Sequence, residues 1–189
     1  MYRMSGKRGK IRRQVTFAYS AVILVYILDQ ASKFLASRLL SPGESVPVIK
    51  NLLHMTLVYN TGAAFGMFSS HPYFFVAVAV LSVFLINYLF IRKGHKLMAL
   101  EGVALGFILA GTLGNLTDRL RVGYVIDFID LRVWPVFNLA DSFITIGAVM
   151  LGWSILWGAR GRKTEDRGQK TEGRRCQEDV RCWLLDVSC

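Results

Sequence analysis

Hydrophobic positions along this chain gather into four blocks: Val15 to about Leu40, Tyr73–Ile91, Leu97–Leu116 and Asn138–Trp157. Each reaches or approaches the roughly 20 residues that a helix needs to cross the hydrocarbon of a bilayer. The pattern predicts a membrane all-α fold with four transmembrane helices. The interval between the first two blocks has a different rhythm. Ser41-Pro42-Gly43 is a turn signal. Val46, Val48 and Ile49 are β-branched positions typical of a strand, and His54–Tyr59 reads as a second strand. The loop 41–72 is therefore expected to form a small β-containing platform on the membrane surface, whereas Arg92–Lys96 reads as a tight turn.

Composition agrees with a bilayer as the solvent: 53% of the 189 residues are hydrophobic. The formal charge of +10 raises the possibility of nucleic acid, so the placement of the 23 Lys and Arg residues decides. Six precede the first block, three join the second to the third, and eight follow the fourth. By the positive-inside rule both termini are cytoplasmic, and loops 41–72 and 117–137 face outward. No reading helix or stacking platform supports a nucleic-acid partner.

The basic start before Val15–Leu28 resembles a cleavable signal peptide. Three more spans follow instead of a secreted domain, so the first block reads as a permanent helix. Three segments result: a basic cytoplasmic extension over 1–14, a four-helix membrane domain over 15–158, and a charged cytoplasmic tail over 159–189. The tail's mixed charge and glycine predict disorder. Its Cys176, Cys182 and Cys189 fit no metal spacing and read as reduced and uninvolved.

Six of the seven carboxylates outside the tail lie on the outward side: Asp29, Glu44, Asp118, Asp127, Asp130 and Asp141. Only Glu101 is inward. Ionisable groups at membrane depth cost about 2.5–3.5 kcal/mol on translocon scales, so they line polar cavities and mark function. Asp141 lies in the first turn of the fourth block, three residues after Asn138. That spacing is close to a capping box, and a carboxylate there also complements the helix dipole. A similar Asn-x-x-Asp, Asn115 to Asp118, closes the third block instead, and capping cannot explain it. Asp127 sits in the β-favouring run Tyr124-Val125-Ile126-Asp127-Phe128, readable either as a solvated loop residue or as a buried partner for Asp141. Two acids sharing a partly desolvated site cannot both ionise easily, and one is left as acid while the other serves as base.

Other chemistries lack their residues. His54, His71 and His95 are scattered, and no nucleophile elbow, P-loop or dinucleotide fingerprint occurs. No metal or other cofactor is expected. A small channel or proton-linked carrier would place acids near the midplane instead of at one surface. A non-catalytic scaffold gives no reason for the acidic cluster.

Five blocks occur in order: Asp29-x-x-x-Lys33, Asn60-Thr61-Gly62-Ala63-Ala64-Phe65-Gly66, Gly114-Asn115-Leu116-Thr117-Asp118-Arg119, Val125-Ile126-Asp127-Phe128 and Phe137-Asn138-Leu139-Ala140-Asp141. Together they resemble the signature of the lipoprotein signal peptidases (signal peptidase II, A8 aspartyl peptidases), over about residues 15–158. The resemblance implies an aspartic endopeptidase of the bacterial inner membrane, with its active site on the extracytoplasmic side; the expected partners are membrane lipids, and a monomer is expected. Its substrate would be a diacylglyceryl-modified prolipoprotein, cut on the N-terminal side of the lipidated cysteine. The resemblance puts the catalytic pair on Asp127 and Asp141. Asn60, Gly62, Asn115, Asp118, Arg119, Asn138 and Ala140 become supporting or substrate-binding residues, and Arg119 is expected to order the site through Asp118. Gly62, Ala63 and Ala64 fit a loop that lets substrate backbone approach closely. Asp29 and Lys33 read as a structural i, i+4 ion pair, worth a few tenths of a kcal/mol when exposed. Tyr73, Phe74, Phe75, Trp153 and Trp157 read as lipid-facing or interfacial aromatics.

Overall fold

The computed structural model describes residues 3–62, 72–93 and 97–157. The expectations for Ala63, Ala64, the turn at 94–96 and the cysteine-bearing tail lie outside these residues. Four helices are long and apolar enough to cross a membrane: α1 (Arg3–Leu39), α2 (Pro72–Lys93), α3 (Ala99–Val122) and α4 (Leu139–Trp157). Between α1 and α2 run β1 (Ser45–Ile49) and β2 (Leu53–Asn60), and between α3 and α4 runs β3 (Val125–Asp130).

Two helices exceed their expected ends. The apolar part of α1 is Thr16–Leu39, but the helix begins at Arg3, so the basic segment before Val15 continues it. In α3, Thr117–Val122 was expected to be loop, because hydropathy falls there, yet it forms the last turns of the helix. Hydropathy reports the solvent a segment prefers and not whether its backbone is helical. The helix stops at Gly123, whose φ of 86° is left-handed and whose N–H bonds to the Arg119 carbonyl at 3.1 Å. Asp118 and Arg119 are thereby helical residues at the mouth of the fold.

The three strands form an antiparallel sheet in the order β1-β2-β3. Asn51, at φ 62°, makes the tight reversal between β1 and β2. The first two strands lie where the sequence pattern puts them, and the β-favouring run Val125–Phe128 pairs beside them. That run becomes β3, with Asp127 opposite Val58 and Val125 opposite Asn60. Because Gly123 turns the chain sharply, β3 returns over the end of α3, and the Ile126 N–H reaches Asp118 Oδ2 at 3.4 Å.

Among the spans, α3 is the most enclosed of the first three: 44% of its apolar window is buried, against 28% for α1 and 11% for α2. It is thus the helix best able to shelter polar groups. Ala18, Val22 and Val25 of α1, Ile86 and Phe90 of α2, and Leu105, Leu109 and Ala110 of α3 form the apolar core. Outward-facing Phe17, Leu24, Phe84 and Ile91 stay exposed, as lipid contact requires. Small residues bring backbones together. A Cβ on Gly111 would collide with the Ala140 carbonyl, and one on Gly147 would lie 2.6 Å from the Ala104 carbonyl. These two glycines allow α3 and the first part of α4 to touch backbone to backbone.

Candidate active site

The start of α4 carries a reciprocal cap. The Asp141 N–H donates to Asn138 Oδ1 at 2.9 Å, and the Asn138 N–H donates to Asp141 Oδ2 at 3.3 Å. The capping pattern read from the spacing is therefore present. It does not consume Asp141, whose Oδ1 accepts Asn115 Nδ2 at 2.7 Å and which still borders an open cavity.

Asn138 does more than cap. Its Nδ2 donates to Asp127 Oδ1 at 2.7 Å and to Asn115 Oδ1 at 3.0 Å. One fully buried amide thus ties the strand carboxylate to the helix that carries the second. Asp127 itself is 2% exposed, and its other oxygen accepts Asn60 Nδ2 at 2.9 Å. Burial pushes its carboxyl up to about 7, and the hydrogen bond from Asn60 opposes the rise. The charge of Asp141 adds to it, while Asn138 and Lys33 pull the other way. Of the two readings open for Asp127, the buried partner of Asp141 is the one the fold provides.

Asn115 joins this pair to a second cluster. Its Oδ1 accepts Lys33 Nζ at 2.9 Å. Lys33 also bonds Asp29 Oδ2 at 2.9 Å and Asp118 Oδ2 at 2.8 Å, which uses all three ammonium protons. The i, i+4 pair therefore exists, but Asp29 is 0% and Lys33 1% exposed, so it is not the exposed pair considered from spacing. The free energy of an exposed helix pair does not apply here. Asp29 also reaches across the fold, accepting the Ala140 N–H with Oδ1 at 2.9 Å and so clamping the first turn of α4. Ala140 contributes this N–H and its small size.

Arg119 corrects another expectation. Asp118 pairs with Lys33 and not with Arg119, because the two neighbours point about 100° apart around the helix. Arg119 instead donates to the Gly62 carbonyl at 3.2 Å and lies over the Phe75 ring at 5.2 Å from its centre. Phe75 thus supports a guanidinium, whereas Tyr73, Phe74, Trp153 and Trp157 are exposed as expected. Gly62 is also held by Asn60, whose Oδ1 accepts its N–H at 3.0 Å.

The cavity between these groups encloses about 190 Å³. Asn60, Arg119, Asp127 and Asp141 form its polar side; Trp134, Pro135, Val136 and Phe137 form an apolar wall. Asp130 and Glu44 do not join it. Asp130 accepts Thr56 Oγ1 and the Arg132 N–H, both at 2.8 Å, and Glu44 caps the turn at Ser41. Among the described residues, no group of three or more His, Cys, Asp or Glu is placed to hold a metal.

Sequence reasoning missed several contributors. Gln30 donates to Asp29, to Asp118 and to the Gly114 carbonyl, and its only signal was its place beside Asp29. Gly114 has no room for a side chain, since a Cβ would collide with the Asp29 carboxylate. Trp134, Pro135 and Val136 gave no signal beyond preceding the fourth span, whereas Phe137 opens the block that runs to Asp141.

Comparison with known proteins places these features in a family. Residues 21–157 match the profile of signal peptidase (SPase) II. The chain is 45% identical over 145 residues to the lipoprotein signal peptidase of Moorella thermoacetica, covering 75% of this chain and 95% of that one. It is 44% identical over 134 residues to that of Halothermothrix orenii, covering 70% and 90%. A bacterial membrane enzyme structure determined by the in meso method at 2.3 Å superposes with a TM-score of 0.71 at 32% identity, covering 76% of this chain and 90% of the other.

Proposed function

The chain belongs to the signal peptidase II family, and on that premise we propose that it is an aspartic endopeptidase whose acid and base are Asp127 and Asp141. It is a multi-pass bacterial membrane protease that processes lipoprotein precursors. The substrate is the diacylglyceryl-modified prolipoprotein, and the cut falls on the N-terminal side of the lipidated cysteine. One observation carries the assignment: two carboxylates border one cavity, tied through a single buried asparagine, in unlike environments.

Those environments divide the roles. Asp127, with its carboxyl raised to about 7, is the acid. Asp141, whose oxygens accept Asn115 and the Asn138 N–H at a helix N-terminus, is the base. Asp141 takes a proton from a water in the cavity, and the water oxygen attacks the scissile carbonyl carbon. Asp127 gives its proton to the carbonyl oxygen. The tetrahedral diol then collapses: Asp127 takes back a hydroxyl proton as the carbonyl re-forms, the C–N bond breaks, and the cysteine nitrogen leaves with the proton held by Asp141. The buried Arg119 Nε has no partner within the described residues, so it supports a role in holding a substrate carbonyl.

The direct test incubates the purified protein in detergent with a diacylglyceryl-modified prolipoprotein and follows release of the signal peptide. Activity should fall as pH rises through about 7, because Asp127 then loses the proton it donates. Between its ordinary 3.8 and about 7, folded Asp127 keeps a proton that the unfolded chain releases, so stability also declines as pH rises through that window. Cleavage that stays level from about pH 6 to 9 would remove Asp127 from the acid role.

The basic-residue distribution supports cytoplasmic termini and an outward site. The chain supplies both acids and their supporting residues itself, which favours a monomer. Labelling of Lys50→Cys, at an exposed position between β1 and β2, should succeed from outside the membrane. Labelling reachable only from the cytoplasm would invert the topology.

A further inference from the structure

A second cavity, of about 170 Å³, opens beside the end of α3. Asp118, Arg121 and Val122 face it, spaced i, i+3 and i+4 on one side of the helix, while Arg119 turns into the first cavity. The opposite wall is a matching stripe of α1 that includes Phe34 and Ser37.

Polar accounting separates its floor from its mouth. At the floor, Lys33 has spent its three protons on Asp29, Asp118 and Asn115. Asp118 accepts Lys33 on one oxygen and Gln30 on the other. At the mouth, Arg121 is exposed, and its guanidinium meets no hydrogen-bond or charged partner among the described residues. Its five N–H donors are unclaimed. Ser37 Oγ donates to the Lys33 carbonyl at 2.9 Å, which leaves its lone pairs open. A second cation stands at the same level. Arg38, in the last turn of α1, lies 5.1 Å from the centre of the Phe34 ring, and Arg121 is in the last turn of α3. Below them Phe34 is 62% and Val122 47% exposed.

Cations in the last turn of two adjacent spans, above apolar side chains that face lipid, sit where bilayer phosphates lie. We propose that this cavity binds the phosphodiester headgroup of an anionic phospholipid. Arg121 takes the phosphate oxygens, Ser37 accepts from a headgroup hydroxyl, and the acyl chains descend past Phe34 and Val122. A choline headgroup offers Ser37 no donor and carries a cation of its own toward the arginines. The proposal depends on α1 and α3 spanning a bilayer and not on the roles of Asp127 and Asp141.

Native mass spectrometry of the full chain in detergent, titrated with phosphatidylglycerol, phosphatidylcholine or inorganic phosphate, tests it. One phosphatidylglycerol should bind in preference to phosphatidylcholine, and millimolar phosphate should not displace it. Arg121→Gln should weaken that binding about tenfold, as expected for loss of a charge-assisted contact. Val122→Trp, which fills the cavity without changing charge, should weaken it as well. Arg132→Gln, an exposed arginine on the sheet side, should leave it unchanged. Equal affinity for the two lipids, an unaltered Arg121→Gln, or an equal loss in Arg132→Gln would overturn the site. Displacement by phosphate would show that the cavity reads a free anion and no lipid. Cleavage assayed on the same samples keeps the peptidase reading separate from this one.

Discussion

Replacing Asp127 or Asp141 by asparagine lowers cleavage of a diacylglyceryl-modified prolipoprotein by about three orders of magnitude or more, with the protein still folded and inserted. The amide keeps the shape of the carboxyl but cannot exchange its proton. A smaller structural penalty accompanies each change. Asp127 receives N–H groups on both oxygens, from Asn60 and Asn138, and Asp141 from Asn115 and the Asn138 backbone. An introduced NH₂ faces one donor in each case and costs about 1–3 kcal/mol. That is a loss of stability, read from unfolding, and it is separable from turnover per folded molecule. The double variant should be little worse than either single one, because the two acids act as a unit. Substantial cleavage by folded Asp127→Asn, with a stable but inactive Asp118→Asn, would move the acid role to Asp118.

Lys33→Met has the second-largest effect, and it falls on stability. Among the described residues, Lys33 is the one cation that touches both Asp29 and Asp118. Without it two buried carboxylates face each other, and breaking a buried charge network in this way costs about 3–5 kcal/mol. That is comparable with the whole stability of many domains. The expected result is a marked drop in membrane abundance and in the thermal midpoint in detergent. Asp29→Asn and Asp118→Asn should likewise reduce abundance more than turnover per folded molecule. A Lys33→Met protein as stable as the parent would show that the network does not hold these helices together.

What sequence could tell about this site followed the distance over which each signal acts. The Asn138–Asp141 cap and the Asp29–Lys33 pair are local, set by helical spacing, and both were legible. The four spans were legible because twenty apolar residues admit few other structures in a bilayer. Asp118 was legible as a polar outlier, but its partner was not, since Lys33 comes from a distant helix and the adjacent Arg119 was the nearer guess. The burial of Asp127 needed the pairing of β3 with β2, which no local pattern states. The roles of Gln30, Gly114 and Trp134 exist only once the helices and loop meet. Family resemblance selected the two acids where spacing left each with a second reading.

The ion pair on α1 has a consequence for how the chain enters the bilayer. Asp29 and Lys33 are on one helix at i, i+4 spacing, so an isolated α1 already carries a cation beside its own counterion. That pair can leave the translocon as a nearly neutral unit, with the cost of two separate ions avoided. Asp118 belongs to the third helix and finds Lys33 only when α3 docks. Charge therefore favours the α1–α3 encounter after insertion, in hydrocarbon, where apolar side chains give helices little reason to prefer one another over lipid.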